Sequence, residues 1–347
     1  MLAAYATRVG GEEPLANLEV GERPQPVPTT GWALLRTEAA SLNHHDLWTL
    51  KGVGAPPASL PRILGCDVAG TVEAYGPGTP DALPLGSSAV AHAVITCGSC
   101  DACLGPDETS CRHFAMLSEG PYEGTLAEYC LVPATNLFRV PVGLSAPEAA
   151  CLPTAYLTAF RMLFSKARLK PGATVLIQGA GGGLATAAQA LALAAGLRVL
   201  VSSRSEEKRQ AALARGAHRA LAPGRETVSA AMELTGGEGV DAVIESVGEP
   251  TWATSLRSLR RGGAVVVAGA TGGADPPADL RRVFWRQLQI LGSTMGTRAE
   301  FRALLRFTEA AGLHPLIDEA VPLTEAAAAF AKLEAGAAVG KLVIVTS

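Results

Sequence analysis

The sequence predicts a mixed α/β protein in which a parallel sheet, covered by helices on both faces, is joined to a region of short strands. Between residues 173 and 269, apolar strand-like runs alternate with helix-like runs, and strands separated by helices imply a parallel sheet. The first 140 residues are rich in proline and glycine, and their short β-like runs are bounded by turn residues. Hydrophobic residues make up 48% of the 347, which is enough to bury a sizeable core.

The individual elements follow from these patterns in chain order. Short strands are predicted at 32–36, 68–74 and 126–132. A helix is predicted from the N-cap Ser145, with Glu148 three residues on, and its apolar pattern continues to Leu163. The tail, from about residue 300, is expected to hold two alanine-rich helices and a last strand at 341–346. The alternating region between them predicts strand 173–178, helix 184–196, strand 197–203, helix 205–216, and strands 240–246 and 264–270.

The charge balance limits the partners of the chain. The formal net charge is −3 and only 18% of the residues are charged, so a basic surface for nucleic acid is not expected. No run of about 18 uncharged apolar residues occurs, so no membrane span is expected. The first residues lack the basic start and apolar run of a secretory signal, so we expect a cytoplasmic protein.

A glycine-rich turn, residues 179–185 (GAGGGLA), follows the first strand of the alternating region and opens a helix. Glycines let the backbone approach a pyrophosphate, and a helix N-terminus offers unpaired N–H groups. The turn therefore predicts a dinucleotide site, with an imperfect match to G-x-G-x-x-G/A; an ordinary strand-to-helix turn is the alternative. The residues predicted to contact the cofactor here are Ala180, Gly181, Gly182, Gly183 and Leu184.

The end of the second strand indicates which dinucleotide binds. An NAD site usually places Asp or Glu there, to bind the ribose 2′-hydroxyl. This sequence has Ser202, Ser203 and Arg204 instead, with Lys208 one turn later. A guanidinium matches phosphate oxygens well, so these residues favour the 2′-phosphate of NADP(H). The alternative is a solvated charge on a loop.

Four of the seven cysteines are concentrated in fifteen residues. Tetrahedral zinc takes four thiolates, and a site made of four cysteines has no open position, so we predict one structural zinc per chain. An iron–sulfur cluster and reduced thiols are the alternatives. Cys130 and Cys151 are predicted to be small buried apolar residues. The predicted zinc ligands are Cys97, Cys100, Cys103 and Cys111.

Several segments together resemble the medium-chain dehydrogenase/reductase superfamily, which includes zinc alcohol dehydrogenases and quinone oxidoreductases. The resemblance spans essentially the whole chain and implies an active site between two domains; a homodimer or homotetramer is also expected. The segments that carry it are 41–48 (SLNHHDLW), 61–70 (PRILGCDVAG), the four cysteines, 152–160 (LPTAYLTAF), the glycine turn and 340–343 (GKLV). The implied domains are a GroES-like β domain of residues 1–148 and 297–347, with a zinc lobe at 95–115, and a Rossmann domain of residues 149–296.

The sequence departs from the zinc alcohol dehydrogenases at the three positions that hold their catalytic zinc. Those positions align with Asn43, Cys66 and Thr154. Asparagine and threonine are poor zinc ligands, and one thiol cannot hold the ion alone, although Asp67 could add a second ligand. Asparagine at the first position, together with the LPTA segment, is similar to the quinone oxidoreductases and enoyl reductases, which work without catalytic zinc.

The resemblance therefore implies NADPH-dependent reduction of a quinone or of an activated C=C bond, as in an enone or enoyl substrate. One alternative is a zinc-dependent alcohol dehydrogenase with atypical ligands such as Cys66 and Asp67. Another is a protein that binds the cofactor without turnover. The catalytic candidates are Asn43, His44 and Tyr156, with water as an alternative proton source. The family positions expected to contact NADP(H) also include Asn43, Thr158, Val247, Gly248, Gly269, Ala270, Thr271, Ser293, Thr294, Met295 and Lys341.

Overall fold

The computed structural model describes residues 1–54 and 59–346, which divide into two compact units. Unit 1 comprises Met1–Leu157 and the chain from Gly296 onward, and unit 2 comprises Thr158–Met295. Unit 2 is shorter than the predicted Rossmann range 149–296 because the helical residues 149–157, and Gly296, group with unit 1. None of the described helices combines the length and the apolar run that crossing a bilayer requires.

The first segment of unit 1 is built from short strands, as its proline- and glycine-rich sequence predicts. Its longest strand, β3, pairs antiparallel with both β5 and β9, and β5 continues the sheet to β6 and β10. The elements are β1 (Leu2–Ala6), β2 (Leu18–Glu22), β3 (Trp32–Ser41), α1 (His44–Leu50), β4 (Arg62–Ile63), β5 (Ala69–Tyr75), β6 (Ser88–Ala91), β7 (Val94–Ile95), α2 (Asp101–Leu104), β8 (Ala115–Met116), β9 (Tyr129–Pro133) and β10 (Leu137–Arg139).

A helical region begins at the predicted N-cap, where Ser145 and Glu148 form a capping box. The predicted helical pattern to Leu163 is present, but wide π-type turns lie on both sides of a short α-helical segment. Pro153 has no N–H to donate to the helical ladder, which favours a departure from α-helical bonding. The segments are α3 (Ala146–Ala150), a π-type turn at Leu152–Tyr156, α4 (Leu157–Phe160) and a second π-type turn at Arg161–Lys166.

Unit 2 holds one sheet of strand order β13-β12-β11-β14-β15-β16, and every pairing is parallel. Leu176, Val243 and Val265 of the sheet pack with Trp252 in one buried cluster. This architecture confirms the predicted fold class. The elements are β11 (Thr174–Gln178), α5 (Gly183–Ala194), β12 (Arg198–Ser202), α6 (Glu206–Ala214), β13 (Arg219–Leu221), α7 (Arg225–Leu234), β14 (Val240–Glu245), α8 (Glu249–Ser258), β15 (Leu259–Val267), α9 (Leu280–Arg286) and β16 (Gln289–Gly292).

The tail contributes the rest of unit 1. Its last strand, β18, pairs parallel with β17 and antiparallel with β3, so the larger sheet runs β10-β6-β5-β3-β18-β17 with β9 also on β3. Phe330 and Leu342 of the tail pack with Leu50 and Leu126 of the first segment in one buried cluster. The tail elements are α10 (Arg298–Ala311), β17 (Ile317–Pro322), α11 (Ala326–Glu334) and β18 (Lys341–Val345).

His92 connects the two segments of unit 1 from inside the core. Its Nε2 lies 2.9 Å from the carbonyl oxygen of Gly296, and its ring lies 5.6 Å from that of Phe301, centroid to centroid. Burial lowers the pKa of His92 to about 4, from an ordinary value of 6.5. As the pH falls from about 6.5 to about 4, the unfolded chain takes up a proton at His92 that the folded chain does not. The free energy of unfolding therefore decreases.

We predict that His92 accounts for up to about 3 kcal/mol of the unfolding free energy lost between pH 7 and pH 4. The variant His92→Phe removes the titrating ring, so its stability should depend less on pH than that of the wild type. Urea denaturation at pH 7 and at pH 4.5 measures this difference. His113→Gln, at an exposed histidine, is the matched control and should keep the wild-type dependence. An unchanged pH dependence in His92→Phe would contradict the assignment.

Candidate functional site

The glycine turn lies at the carboxyl end of β11 and leaves room for a ligand. Gly179 has φ +99°, a conformation that favours glycine. A Cβ at Gly181 would lie 2.6 Å from Cδ of Lys208, whereas a Cβ at Gly182 would meet nothing within 4 Å. No side chain caps α5, which begins at the N-cap Gly182, so backbone N–H groups without intrahelical partners face this space. The turn fits an anionic group such as a pyrophosphate.

The other residues of unit 2 that were predicted to contact the dinucleotide lie at or after the ends of strands in the same sheet. Because carboxyl ends of parallel strands meet at one edge, the structure brings these positions to the edge that holds the glycine turn. We call this edge the dinucleotide edge. Its predicted residues are Ala180–Leu184 after β11, Ser202, Ser203 and Arg204 at the end of β12, Lys208 in α6, Val247 and Gly248 after β14, Gly269, Ala270 and Thr271 after β15, and Ser293, Thr294 and Met295 after β16.

Exposure differs among these residues. Arg204 is exposed, whereas Ser202 is buried. Thr158, in α4, is also buried, and its hydroxyl lies 3.9 Å from the sulfur of Met295. The exposed Arg204, which follows β12, is therefore available to a charged ligand in solution.

The four cysteines of the lobe lie close together without disulfides. Four sulfurs bound to one tetrahedral zinc at 2.3 Å lie about 3.8 Å from one another, and the lobe matches that spacing. Backbone hydrogen bonds from Ser99 and Cys100 lower the pKa of Cys97 to about 5, which favours the thiolate. The Sγ–Sγ distances are 3.8 Å for Cys97–Cys103, 3.5 Å for Cys100–Cys103, 3.8 Å for Cys100–Cys111 and 3.6 Å for Cys97–Cys111.

The residues aligned with the catalytic zinc ligands also lie together in unit 1. Sγ of Cys66 is 3.6 Å from Nδ2 of Asn43 and 3.5 Å from Oγ1 of Thr154. The adjacent carboxylate of Asp67 is fully buried and accepts hydrogen bonds from the hydroxyls of Ser41 (2.7 Å) and Thr154 (2.6 Å), and from the amide of Asn43 (2.9 Å). An amide nitrogen, a hydroxyl and a single thiol do not make a zinc donor set.

A buried lysine completes this cluster. Nζ of Lys341 donates to the carbonyl oxygen of Leu42 (2.7 Å) and to Oδ1 of Asn43 (2.6 Å), and it lies 3.6 Å from Oδ2 of Asp67. The ammonium therefore supplies the positive charge that faces the Asp67 carboxylate. The side chains of Lys341 and Asn43 are hydrogen-bonded to each other inside unit 1, and their contacts with NADP(H) stay a prediction.

The two candidate proton donors, His44 and Tyr156, differ in placement. His44 is exposed at the start of α1, with its ring 6.4 Å from that of Trp48. Partial burial of the ring, followed by the charge of Lys341, lowers the pKa of His44. Tyr156 is 1% exposed, and its hydroxyl oxygen accepts a hydrogen bond from the backbone of Leu316 at 3.1 Å. Tyr156 therefore has the surroundings of a packing residue.

Sequence reasoning did not identify the partner of His45. Its Nε2 lies 3.0 Å from Oε1 of Glu119, 74 positions away, and no motif marks that glutamate. Burial opposes a charge on His45, but the nearby Asp46 and Cys66 and the hydrogen-bonded Glu119 raise its pKa. The ligand atoms of His45, Asp46 and Cys66 lie within 4.8 Å of one another, although both oxygens of Asp46 already accept hydrogen bonds from backbone N–H groups.

Comparisons with known proteins agree with this geometry. The model of the alcohol dehydrogenase GroES-like domain matches residues 29–142, and that of the zinc-binding dehydrogenase matches residues 183–310. A zinc-type alcohol dehydrogenase-like protein of Schizosaccharomyces pombe is 32% identical over 322 residues, with 90% of each chain covered. An acryloyl-coenzyme A reductase of Metallosphaera sedula is 29% identical over 332 residues, with 94% of this chain and 96% of the relative covered.

Solved structures give the same result. The crystal structure of an NAD-dependent alcohol dehydrogenase matches this chain with a TM-score of 0.93 and 35% identity, and all of both chains is covered. The larger sheet of unit 1 corresponds to the GroES-like domain and the parallel sheet of unit 2 to the Rossmann-like domain. The chain belongs to the medium-chain dehydrogenase/reductase superfamily of oxidoreductases.

Proposed function

We propose that this chain uses NADPH to reduce a quinone or an activated C=C bond, without a catalytic zinc. The observation that carries the proposal is the cluster around Asp67. The positions aligned with zinc ligands hold Asn43, Cys66 and Thr154, and the carboxylate beside them is already hydrogen-bonded and faced by Lys341. A relative named acryloyl-coenzyme A reductase supports reduction of an activated double bond.

The dinucleotide edge supports NADP(H) as the cofactor. The uncapped start of α5 and the glycine turn suit a pyrophosphate, and Ser203 and Arg204 follow β12 where an NAD site usually has a carboxylate. The bound nicotinamide would supply the hydride. The protein would orient the cofactor and provide hydrogen bonds and a proton. Four thiols held as zinc ligands suit a reducing compartment, which supports a cytoplasmic location.

The aligned positions lack a full set of zinc ligands, and this favours a conjugated substrate. Reduction of an isolated carbonyl develops an alkoxide that a Lewis acid would stabilise. Hydride addition to an enone, an enoyl thioester or a quinone spreads the charge over a conjugated system, so hydrogen-bond donors and a proton source suffice. We assign the proton transfer to His44, because its side chain is exposed at the start of α1 and an imidazole can exchange protons with water.

An apolar patch in unit 2 supports assembly into a homodimer or a homotetramer. The side chains of the patch are highly exposed, and among the described residues β16 forms one edge of the parallel sheet. Exposed apolar area next to an open strand edge favours pairing with a second copy of the chain. The patch consists of Leu280 (70% exposed), Phe284 (68%), Trp285 (70%) and Ile290 (45%).

A zinc-dependent alcohol dehydrogenase with atypical ligands is the second candidate. The specific observation in its favour is the grouping of His45, Asp46 and Cys66. Glu119 holds the other ring nitrogen of His45, as a carboxylate often does for a histidine that binds metal. Such a centre would use His45 and Asp46 in place of the aligned Asn43 and Thr154.

We predict activity with NADPH on quinones, enones or enoyl thioesters, and none with simple alcohols and NADP+. Arg204→Ala should raise the KM for NADPH about tenfold and change that for NADH less than about twofold, because only NADPH carries the 2′-phosphate. Arg219→Ala, at an exposed arginine of β13, is the matched control.

His44→Gln should lower kcat, and His113→Gln should not.

Alcohol oxidation alone, or a preference for NADH, would contradict the proposed reaction. Tight NADPH binding without turnover on any substrate of the panel would favour a protein that has kept the cofactor and lost catalysis.

We predict one zinc per chain, held by the four cysteines of the lobe. Metal analysis of the purified protein should give this ratio for the wild type, and Cys103→Ser should lower it because a tetrahedral site loses a ligand. Cys130→Ser, at a buried cysteine outside the lobe, is the control and should keep one zinc. Two zinc ions in the wild type, with one lost in Cys66→Ser, would favour the zinc-dependent alcohol dehydrogenase.

We predict that the purified chain is a dimer or a tetramer and that Trp285→Asp separates it into smaller species. A buried carboxylate at an apolar interface is costly, so the assembly should weaken. Light scattering at micromolar concentration measures the mass. Val142→Asp replaces an equally exposed apolar residue of unit 1 and should leave the mass unchanged. A wild-type monomer would overturn the proposed assembly.

A further inference from the structure

A chain of buried hydrogen bonds crosses unit 2 beside the dinucleotide edge. The hydroxyl of Ser202 donates to Oε1 of Gln178. Nε2 of Gln178 then donates to Oγ of Ser255 at 2.9 Å, and Oγ of Ser255 donates to Oε2 of Glu245 at 2.6 Å. All four residues are at most 1% exposed, so none of these groups can exchange its partner for water.

The series of hydrogen bonds ends at the carboxylate of Glu245, which also holds the turn after β14. Oε1 of Glu245 accepts hydrogen bonds from the backbone N–H groups of Val247 (2.8 Å) and Gly248 (3.1 Å), and from the hydroxyl of Thr251 (2.9 Å). An ionised carboxylate only accepts hydrogen bonds. The donors of this hydrogen-bond series, from Ser202 through Gln178 to Ser255, therefore all point toward Glu245. This direction fixes the orientation of the Gln178 amide, which must accept on one side and donate on the other.

Three of the four residues lie at strand ends close to predicted cofactor residues, and the fourth, Ser255, lies in α8. Gln178 ends β11, directly before Gly179 of the glycine turn. Ser202 ends β12, directly before Ser203 and Arg204. Glu245 ends β14, shortly before the turn that it holds. The hydrogen bonds therefore tie together, side by side, the three strand ends that carry the dinucleotide edge.

We propose that Gln178 is a positioning residue for the selection of NADPH over NADH. Through its bond with Ser202 it fixes the backbone from which Ser203 and Arg204 reach the 2′-phosphate. This inference rests on the proposed dependence on NADPH. Methionine is similar in size to glutamine, but at position 178 it would leave the Ser202 hydroxyl and the Ser255 oxygen without their partner, so the end of β12 would lose its fixed position.

The test compares the dissociation constants of NADPH and NADH for Gln178→Met with those for the wild type, measured by nucleotide fluorescence. We expect NADPH to bind about tenfold more weakly to the variant and NADH less than about threefold more weakly. Gln189→Met is the matched control. Gln189 is a buried glutamine of α5 whose Nε2 donates to the carbonyl oxygen of Ala212 at 2.8 Å, outside the chain of bonds. Its variant should keep the wild-type ratio of the two constants, whatever happens to its melting temperature.

Equal weakening of NADPH and NADH binding in Gln178→Met would show a merely structural role and overturn the inference, while the proposed function would stand. A wild type that binds NADH as tightly as NADPH would overturn both. If Gln178→Met does not fold, Ser202→Ala removes the same hydrogen bond from its other end, and the same ratio decides the result.

Discussion

The buried pair of Asp67 and Lys341 determines how unit 1 is closed. Lys341 begins the last strand of the chain, and its ammonium binds Asn43 and the carbonyl of Leu42 while facing Asp67. Removing either charge would leave the other buried without a counterion, which is among the most costly changes a core can undergo. The return of the tail to the sheet and the orientation of the residues aligned with zinc ligands therefore depend on the same interaction.

Unit 2 depends on a different kind of constraint. Its central strands β11 and β14 are apolar and largely buried, and several polar side chains of the sheet lie where strands end. There the glycine turn offers backbone donors, Arg204 offers an exposed positive charge, and Gln178 and Glu245 hold the strand ends in register. The predicted cofactor residues at these strand ends lie in unit 2, whereas Asn43, Cys66 and Thr154, which align with zinc ligands, lie in unit 1.

Local patterns were predicted correctly from the sequence, and distant partners were not. The capping box at Ser145 and the parallel sheet follow from residues that lie close together in the chain. The pairing of Lys341 with Asn43 joins residues 298 positions apart, and periodicity has no means of indicating it. The family resemblance predicts that this lysine contacts the cofactor, but a motif position carries no information about which neighbours in the fold its side chain meets. The sequence pattern places Gln178 at the end of an apolar strand and does not indicate the partners of its side chain.

The position of β18 also has a consequence for synthesis of the chain. Because β18 pairs with β3, that edge of the larger sheet stays open until residues 341–345 have left the ribosome. All strands of the parallel sheet in unit 2 precede residue 293. The second unit in the sequence is thus the first whose strands are all present, and the first unit keeps an exposed strand edge until β18 has been made.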